Sequence, residues 1–140
     1  EGSQTIKLQF KRYLALNDGY MPINEELLAK FDDEAAARAI LRKAFDDPFY
    51  QNPSHLQGIA YFAAYFADDE LALACLRRAF VEKRGITVPV IWHPLFAGVR
   101  KTEGFKQLVR DLGLYDYWRK SGHWGDFARS LGDDDFEIIK

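Results

Sequence analysis

The chain contains one sequence pattern twice, at an interval of 35 residues. Residues 33–45 read DEAAARAILRKAF, residues 68–80 read DDELALACLRRAF, and seven of the 13 positions are identical. A fixed period in the range of roughly 20–50 residues is typical of stacked supersecondary units. Two antiparallel helices of about 13 residues with short turns occupy roughly 34 residues, so the period predicts a repeat of helical hairpins.

The residue types at the repeated positions suit closely packed helices. Small residues are needed where the two helices of a hairpin cross, and large apolar residues then bridge to the neighbouring hairpin. The small residues are Ala37, Ala44, Ala72 and Ala79, and the large residues are Leu41, Leu76, Phe45 and Phe80. Because a single hairpin would leave one apolar face in water, the units are expected to stack.

Apolar periodicity and capping residues extend the helical prediction over most of the chain. The predicted helices cover residues 4–16, 23–30, 33–46, 54–67, 69–84, 102–112 and 115–120. The stripe predicted to face inward on the first helix consists of Ile6, Phe10, Tyr13 and Leu14. Asp32 or Asp33 is expected to cap the third helix, and Gly85 is expected to stop the fifth.

Two segments depart from the helical pattern. Residues 86–94 are rich in β-branched side chains and contain Pro89 and Pro94, so an extended linker is predicted over residues 86–95. The tail at residues 133–140 begins with three aspartates and is expected to be frayed. The sequence therefore predicts one all-α domain over residues 1–140. Its parts are an N-terminal helix with a first hairpin at 4–50, a second hairpin at 52–85 and a C-terminal cap at 96–132.

The second hairpin resembles the tetratricopeptide repeat. The matching residues are Leu56, Ile59, Ala60, Ala72, Leu76 and Ala79. The resemblance is clearest over residues 54–84 and weaker over residues 20–50. The family's usual tyrosine on the first helix is replaced by Ala63, and its closing proline by Arg84. The resemblance implies an α-α superhelix of antiparallel hairpins.

The C-terminal part carries a second resemblance, in the segments FAGVR at 96–100, GFKQL at 104–108, LGL at 112–114 and YWRKSG at 117–122. Similar segments close the tetratricopeptide regions of bacterial class III nucleotide cyclases and winged-helix regulators, where they cap the open end of the helical array. The resemblance covers about residues 92–127. It implies that an output domain lies upstream of Glu1, and the absence of an initiator methionine agrees with this expectation.

Composition narrows the classes of function. A net charge of −2 gives no overall basic surface of the kind that nucleic-acid-binding proteins usually show. The single cysteine, Cys75, rules out an internal disulfide. The sequence shows neither an apolar run of about 18 residues nor a signal-peptide pattern, so a cytoplasmic location without membrane contact is expected.

Catalytic and metal-binding motifs are absent from the sequence. It contains no GxSxG, P-loop or GxGxxG motif. The three histidines, His55, His93 and His123, lack the spacing of metal ligands, and Cys75 has no second cysteine beside it, so no metal or cofactor is expected. A small enzyme that uses His93 or His123 is the least favoured alternative, because capping and packing explain both residues.

The candidate partner-binding groove lies on the helix predicted at 54–67. The residues that share its non-core face are Gln57, Tyr61, Ala64, Tyr65 and Asp68. In tetratricopeptide hairpins this face lines the concave groove, and tyrosine supplies contact area with little loss of entropy. The alternative is that the N-terminal helix packs on this face and fills it.

The sequence therefore predicts a non-catalytic protein-interaction or regulatory module, which binds a protein or peptide partner or forms a homodimer. The resemblance implies that the module is the C-terminal part of a larger bacterial signalling protein. The alternative is a structural scaffold or capping segment without a ligand of its own.

Overall fold

The structure, a computed structural model, describes residues 2–16, 21–85 and 88–140. The chain is mostly helical, as predicted, and forms two compact units, residues 1–50 and residues 51–140. The helices are α1 Gly2–Leu16, α2 Ile23–Ala29, α3 Glu34–Asp46, α4 Pro53–Tyr65, α5 Asp69–Arg77, α6 Glu103–Asp111 and α7 Leu114–Ser121. The strands are β1 Ala128–Leu131 and β2 Asp135–Ile138, which pair antiparallel.

The first unit contains α1, α2 and α3. Helix α3 begins at a capping aspartate, because Asp33 Oδ1 accepts a hydrogen bond from the Ala36 amide at 3.1 Å. The buried side chains of this unit come from all three helices and from the segments that follow α2 and α3. They include Leu14, Leu27, Phe31, Ala37, Leu41, Ala44 and Tyr50.

The stripe predicted to face inward on α1 is only partly correct. Leu14 is fully buried and Phe10 is half-buried, but Ile6 and Tyr13 are exposed. Because α1 carries apolar residues around much of its circumference, periodicity alone did not identify which of them face the rest of the unit. Lys7 and Lys11 on the same helix pair with the Asp32 carboxylate, at 2.5 and 2.6 Å.

The second unit begins with the hairpin of α4 and α5, as predicted. Asn52 caps α4 by accepting from the His55 amide at 2.9 Å, and Pro53 occupies the first turn. Asp68 caps α5 in the position that Asp33 has in α3, and it accepts from the Leu71 amide at 3.3 Å. The repeated alanines and leucines are buried in both copies, namely Ala37 with Ala72, Leu41 with Leu76 and Ala44 with Ala79, whereas Phe80 is buried and Phe45 is half-buried.

The two copies differ at their C-terminal ends. Helix α3 remains an α-helix to Asp46, whereas α5 changes to a π-helical turn at Arg78–Glu82. The Gly85 amide then donates to the carbonyl of Ala79 at 2.9 Å, which closes the end of the turn.

The prediction of an extended linker at 86–95 is wrong over the part of that segment that the structure describes. Val88–Trp92 and Pro94–Ala97 are 3-10 helices, and residues 86 and 87 lie outside the described residues. Local hydrogen bonds form instead, from His93 N to Val90 O and from Phe96 N to His93 O, both at 2.9 Å. Proline is compatible with the early positions of such turns because its φ is already near −65°.

The acidic tail is an ordered hairpin, so the prediction that it is frayed is wrong. Phe136 of β2 is fully buried and stacks on Tyr115 with ring centroids 5.0 Å apart. Arg119 donates to the carbonyls of Gly132 and Asp135, both at 2.9 Å, and thereby fixes the turn between the strands. Burial of one aromatic ring and these two hydrogen bonds order a segment whose composition alone indicates a solvated tail.

Candidate interaction surfaces

The predicted groove face exists on α4, but the same unit covers part of it. The 3-10 helix Pro94–Ala97 packs against α4. The Tyr61 ring stacks on Phe96 with centroids 5.1 Å apart, and the His93 ring meets Tyr61 edge-on at 5.1 Å. Phe96 is fully buried, so Tyr61 contributes to the packing of the second unit.

The other four residues of this face are also half-buried or occupied. Gln57 hydrogen-bonds the Tyr61 hydroxyl, which opposes the rise in the pKa of Tyr61 that burial causes. Tyr65 meets the Phe66 ring edge-on at 5.0 Å, and Ala64 is half-buried beside it. Asp68 is buried as the cap of α5. These contacts favour internal packing of the face, and the element that covers Tyr61 is the 3-10 helix at 94–97.

The histidines have local structural partners. The His55 ring lies 2.9 Å from the Asn52 amide nitrogen, next to the cap of α4. His93 Nδ1 accepts from the Leu95 amide at 3.2 Å, which is the capping role predicted for it. The His123 amide donates to Ser121 Oγ at 3.1 Å. The described residues contain no group of three or more His, Cys, Asp or Glu side chains placed to hold a metal ion.

Cys75 is the side chain with the highest intrinsic nucleophilicity in the sequence, and it is fully buried. Burial raises the pKa of its thiol to about 12, with a small opposing effect from Arg78. The reactive thiolate is therefore almost absent at neutral pH, and Cys75 acts as an apolar residue of the core.

Helix α1 carries an exposed apolar surface, which includes Ile6 and Tyr13, two residues predicted to face inward. Ile6, Tyr13 and Leu16 are 44%, 47% and 72% exposed. Their spacings of seven and three residues place them within about 80° of one another around the helix. We call these three residues the outer stripe of α1.

A cleft opens in the first unit between the start of α2, the end of α3 and the turn at Pro48–Tyr50. It encloses about 230 Å³. Its floor consists of Ile23, Ile40, Ala44 and Tyr50, and its charged rim consists of Glu26, Lys43 and Asp47. The Tyr50 hydroxyl accepts a hydrogen bond from the Ile23 amide at 3.1 Å, which fixes the turn against α2. We call this site the α2–α3 cleft.

The pKa of the Tyr50 hydroxyl reflects the charges around the α2–α3 cleft. Burial raises the pKa of the Tyr50 hydroxyl, and the carboxylates of Asp47 and Glu26 raise it further, against a lowering by the Ile23 hydrogen bond. Both carboxylates therefore act on the floor of the cleft. The sequence did not predict this site, because its lining comes from two helices and a turn that are brought together only by the tertiary structure.

Comparisons with known protein families, known proteins and solved structures found no match to the chain. Among the helices that the structure describes, none combines the length and the apolar character needed to cross a membrane.

Proposed function

We propose that the chain is a non-catalytic protein-interaction module, and that the outer stripe of α1 binds an apolar helix of a partner protein. The observation that carries the proposal is the exposure of Ile6, Tyr13 and Leu16 on one side of one helix. Clustered apolar side chains on a protein surface mark interaction sites more often than isolated ones do. A spacing of three and seven residues also matches the way in which paired amphipathic helices contact each other.

The distribution of charge on α1 favours an apolar partner. Lys7 and Lys11 lie on the opposite side of the helix from the outer stripe and pair with Asp32. The position that falls within the stripe between Ile6 and Tyr13 is Gln9, which is neutral. Arg12 is exposed about 40° around the helix from Leu16, so the stripe is neutral between Ile6 and Tyr13 and is bordered by one cation. An apolar helix would bury the neutral part of the stripe, and its own apolar face, from water.

Two residues of types that often take part in catalysis, Cys75 and His93, have structural roles in this chain, and this supports the non-catalytic part of the proposal. The Cys75 thiol is buried with a raised pKa, and His93 uses Nδ1 to accept from its own chain. The resemblance to the C-terminal regions of bacterial cyclases and regulators supports a regulatory role within a larger cytoplasmic signalling protein. In that role, the partner helix would couple the module to an output domain.

The experiment that tests the proposal is site-specific photo-cross-linking in the source cells, with benzoylphenylalanine in place of Tyr13. The variant that combines Ile6→Gln with Leu16→Gln removes two apolar contacts without disturbing the core. We expect it to reduce the cross-linked product at least about tenfold, because each buried aliphatic side chain contributes on the order of 1 kcal/mol or more. Peptide mapping of the product should locate the cross-link on an amphipathic helix.

Leu8 provides the matched control. It is 68% exposed on the same helix and lies about 160° around from Ile6 and about 80° from Leu16, so Leu8→Gln makes the same chemical change beyond the edge of the stripe. We expect the product to persist in this variant. Equal yields from all three proteins would reject the interaction surface and leave the structural scaffold as the better account. A cross-link to a second copy of the chain would indicate that the outer stripe forms a homodimer and does not bind a partner protein. In that case sedimentation should depend on protein concentration, and Ile6→Gln should abolish this dependence.

A further inference from the structure

Arg12 is an exposed cation on α1, at the edge of the outer stripe. At about 100° per residue, it lies about 40° around the helix from Leu16 and about 40° in the other direction from Leu8. Both leucines are exposed, at 72% and 68%. A partner that covers Leu16 will therefore also cover part of the surface beside Arg12.

Arg12 differs from the other two cations of α1, which are paired within the first unit. Lys7 and Lys11 contact the Asp32 carboxylate at 2.5 and 2.6 Å. Arg12 lies about 100° around the helix from Lys11 and about 140° from Lys7, on the side away from Asp32. Among the residues that the structure describes, no carboxylate forms an ion pair with Arg12. Its guanidinium is thus available to a partner.

The position of Arg12 limits which partner helix can bind tightly. A wholly apolar partner that covered Leu16 would remove part of the water around the guanidinium and return no hydrogen bond, which costs free energy. A carboxylate at the border of the partner's apolar face would restore the lost interaction, because arginine can donate to a carboxylate through two parallel N–H groups. Charge complementarity at the edge of an interface also excludes partners of the wrong sign.

A second copy of α1 cannot supply that carboxylate. Residues 2–16 include three basic side chains and no acidic one. Two α1 helices that paired through their outer stripes would leave Arg12 beside apolar residues and other cations, which is unfavourable. The counter-charge therefore has to come from a different protein segment.

An anionic lipid surface fits the arrangement less well, although α1 is a basic helix with exposed apolar side chains. Helices that lie in a membrane interface keep their cations on the polar face, away from the acyl chains. A membrane would take up Leu8 together with Leu16, and Arg12 between them would be drawn toward the hydrocarbon, where a cation is costly. A partner helix is narrower, so it can cover the outer stripe and meet Arg12 at its edge.

We propose that the partner helix that binds the outer stripe carries an aspartate or glutamate beside its apolar face, and that this carboxylate pairs with Arg12. This assignment rests on the proposed function and adds the chemistry of the partner at the same surface. The pair makes the interaction selective, because a helix with a neutral or basic residue at that position would bury or repel the guanidinium without compensation.

The test uses the full chain with benzoylphenylalanine in place of Tyr13 in the source cells, and follows the yield of the cross-linked product. Arg12→Gln should lower the yield about two- to fivefold, the range for loss of an exposed ion pair. Arg12→Glu should lower it further, because two carboxylates then oppose each other. Arg12→Lys keeps the charge and should retain more of the product than Arg12→Gln does.

Lys43→Glu is the matched control, because it makes the same change in net charge as Arg12→Glu at an exposed position of α3. We expect it to leave the yield unchanged. Peptide mapping should place an acidic residue within about one helical turn of the apolar stripe in the cross-linked partner segment.

A yield that Arg12→Gln leaves unchanged or raises would overturn this assignment, since removal of an unpaired cation favours a purely apolar partner. If Ile6→Gln combined with Leu16→Gln still reduced the product in that case, the proposed function would stand and only the partner's carboxylate would be rejected. Absence of any cross-linked product from the chain with an otherwise natural α1 would reject both.

Sedimentation with vesicles of phosphatidylcholine and phosphatidylglycerol in equal amounts tests the lipid alternative. We expect the chain to stay in the supernatant. Binding to these vesicles that Leu8→Gln and Arg12→Gln both weaken would overturn the assignment to a protein carboxylate and would make α1 a helix that binds an anionic membrane surface.

Discussion

Gly85 lies so close to the end of the π-helical turn that a β-carbon on residue 85 would stand 2.8 Å from the carbonyl oxygen of Ala79. The same β-carbon would stand 3.1 Å from Cβ of Pro53. One neighbour is a backbone carbonyl and the other is a carbon of a rigid proline ring, so neither can move aside without cost. Glycine is therefore required at residue 85 by lack of space, while the left-handed φ of 53° belongs to Arg84.

Gly85→Ala should reduce the free energy of unfolding of the second unit by about 1–3 kcal/mol, the usual cost of forcing an extra carbon into a packed site. Arg84→Gly should change it by less than about 1 kcal/mol, because glycine relieves the left-handed strain but gains entropy when unfolded. Tryptophan fluorescence during urea unfolding measures both effects, since Trp92, Trp118 and Trp124 all lie in this unit. Equal stability of the two variants would contradict the steric explanation.

The parts of the fold that local residues determine could be predicted from the sequence. Asp33 and Asn52 each cap a helix through a hydrogen bond to an amide three residues later, and that geometry needs no distant partner. The repeated alanines and leucines were likewise correctly assigned to buried positions, because their helical spacing is repeated in two segments of sequence.

The parts that were wrong depend on contacts between distant residues. The β-hairpin is held in place by the stacking of Phe136 on Tyr115 and by the hydrogen bonds of Arg119. The composition of the tail does not indicate that these residues contact one another. Among the described residues, the segments at 88–92 and 94–97 pair with no strand, and they form 3-10 helices with local hydrogen bonds instead. Helix α1 carries apolar residues on more than one side, and only the packed structure shows that Leu14 is buried and Ile6 is exposed.

Arg100 should be the charged residue on which the second unit depends most. It is buried, and its guanidinium donates to the carbonyls of Ile91 at 3.1 Å, His93 at 2.9 Å and Lys140 at 2.7 Å. Arg100→Met keeps the volume but leaves these carbonyls without their donor, so a loss of about 2–4 kcal/mol is expected. Arg100→Lys keeps the charge but not the planar fork and should lose at least about 1 kcal/mol.

The matched control for Arg100 is Lys101→Met at the adjacent exposed position, which should change stability by less than about 0.5 kcal/mol. Urea unfolding monitored by tryptophan fluorescence again provides the measurement. If Arg100→Met proved as stable as Lys101→Met, the three carbonyls would have to be satisfied by water, and the buried guanidinium would not order this segment.

The ion pairs of α1 should make the first unit sensitive to acid. Hydrogen bonds from Lys11 and then Lys7 lower the pKa of Asp32 from its ordinary 3.8 to about 2. Because the folded pKa is lower than the unfolded one, the charged carboxylate stabilises the fold fully above about pH 4. That contribution is lost as the pH falls from about 4 to about 2.

Carboxyl NMR titration should therefore give Asp32 a midpoint near 2 in the natural chain, in agreement with the ion pairs. The midpoint should rise in Lys11→Gln and rise further when Lys7→Gln is added. Arg12→Gln, which removes an exposed charge that does not contact Asp32, should leave it unchanged. High salt should raise the midpoint as well, because the carboxylate is exposed and its ion pairs are screened. If the Asp32 midpoint stayed the same when both lysines were replaced, the lysines would not be holding α1 against the segment after α2.

Cys75 should be chemically inert while the chain is folded. Its thiol is buried with a pKa of about 12, so the thiolate fraction at pH 8 is on the order of 1,000-fold lower than in an unfolded chain with an ordinary cysteine pKa. Iodoacetamide should therefore add no mass to the native protein in the time that it fully alkylates the chain in urea. Ser54→Cys combined with Cys75→Ala places the thiol at an exposed position and should react in the native state. Native Cys75 reacting as fast as that control would place an accessible nucleophile in the second unit and would weaken the case for a non-catalytic module.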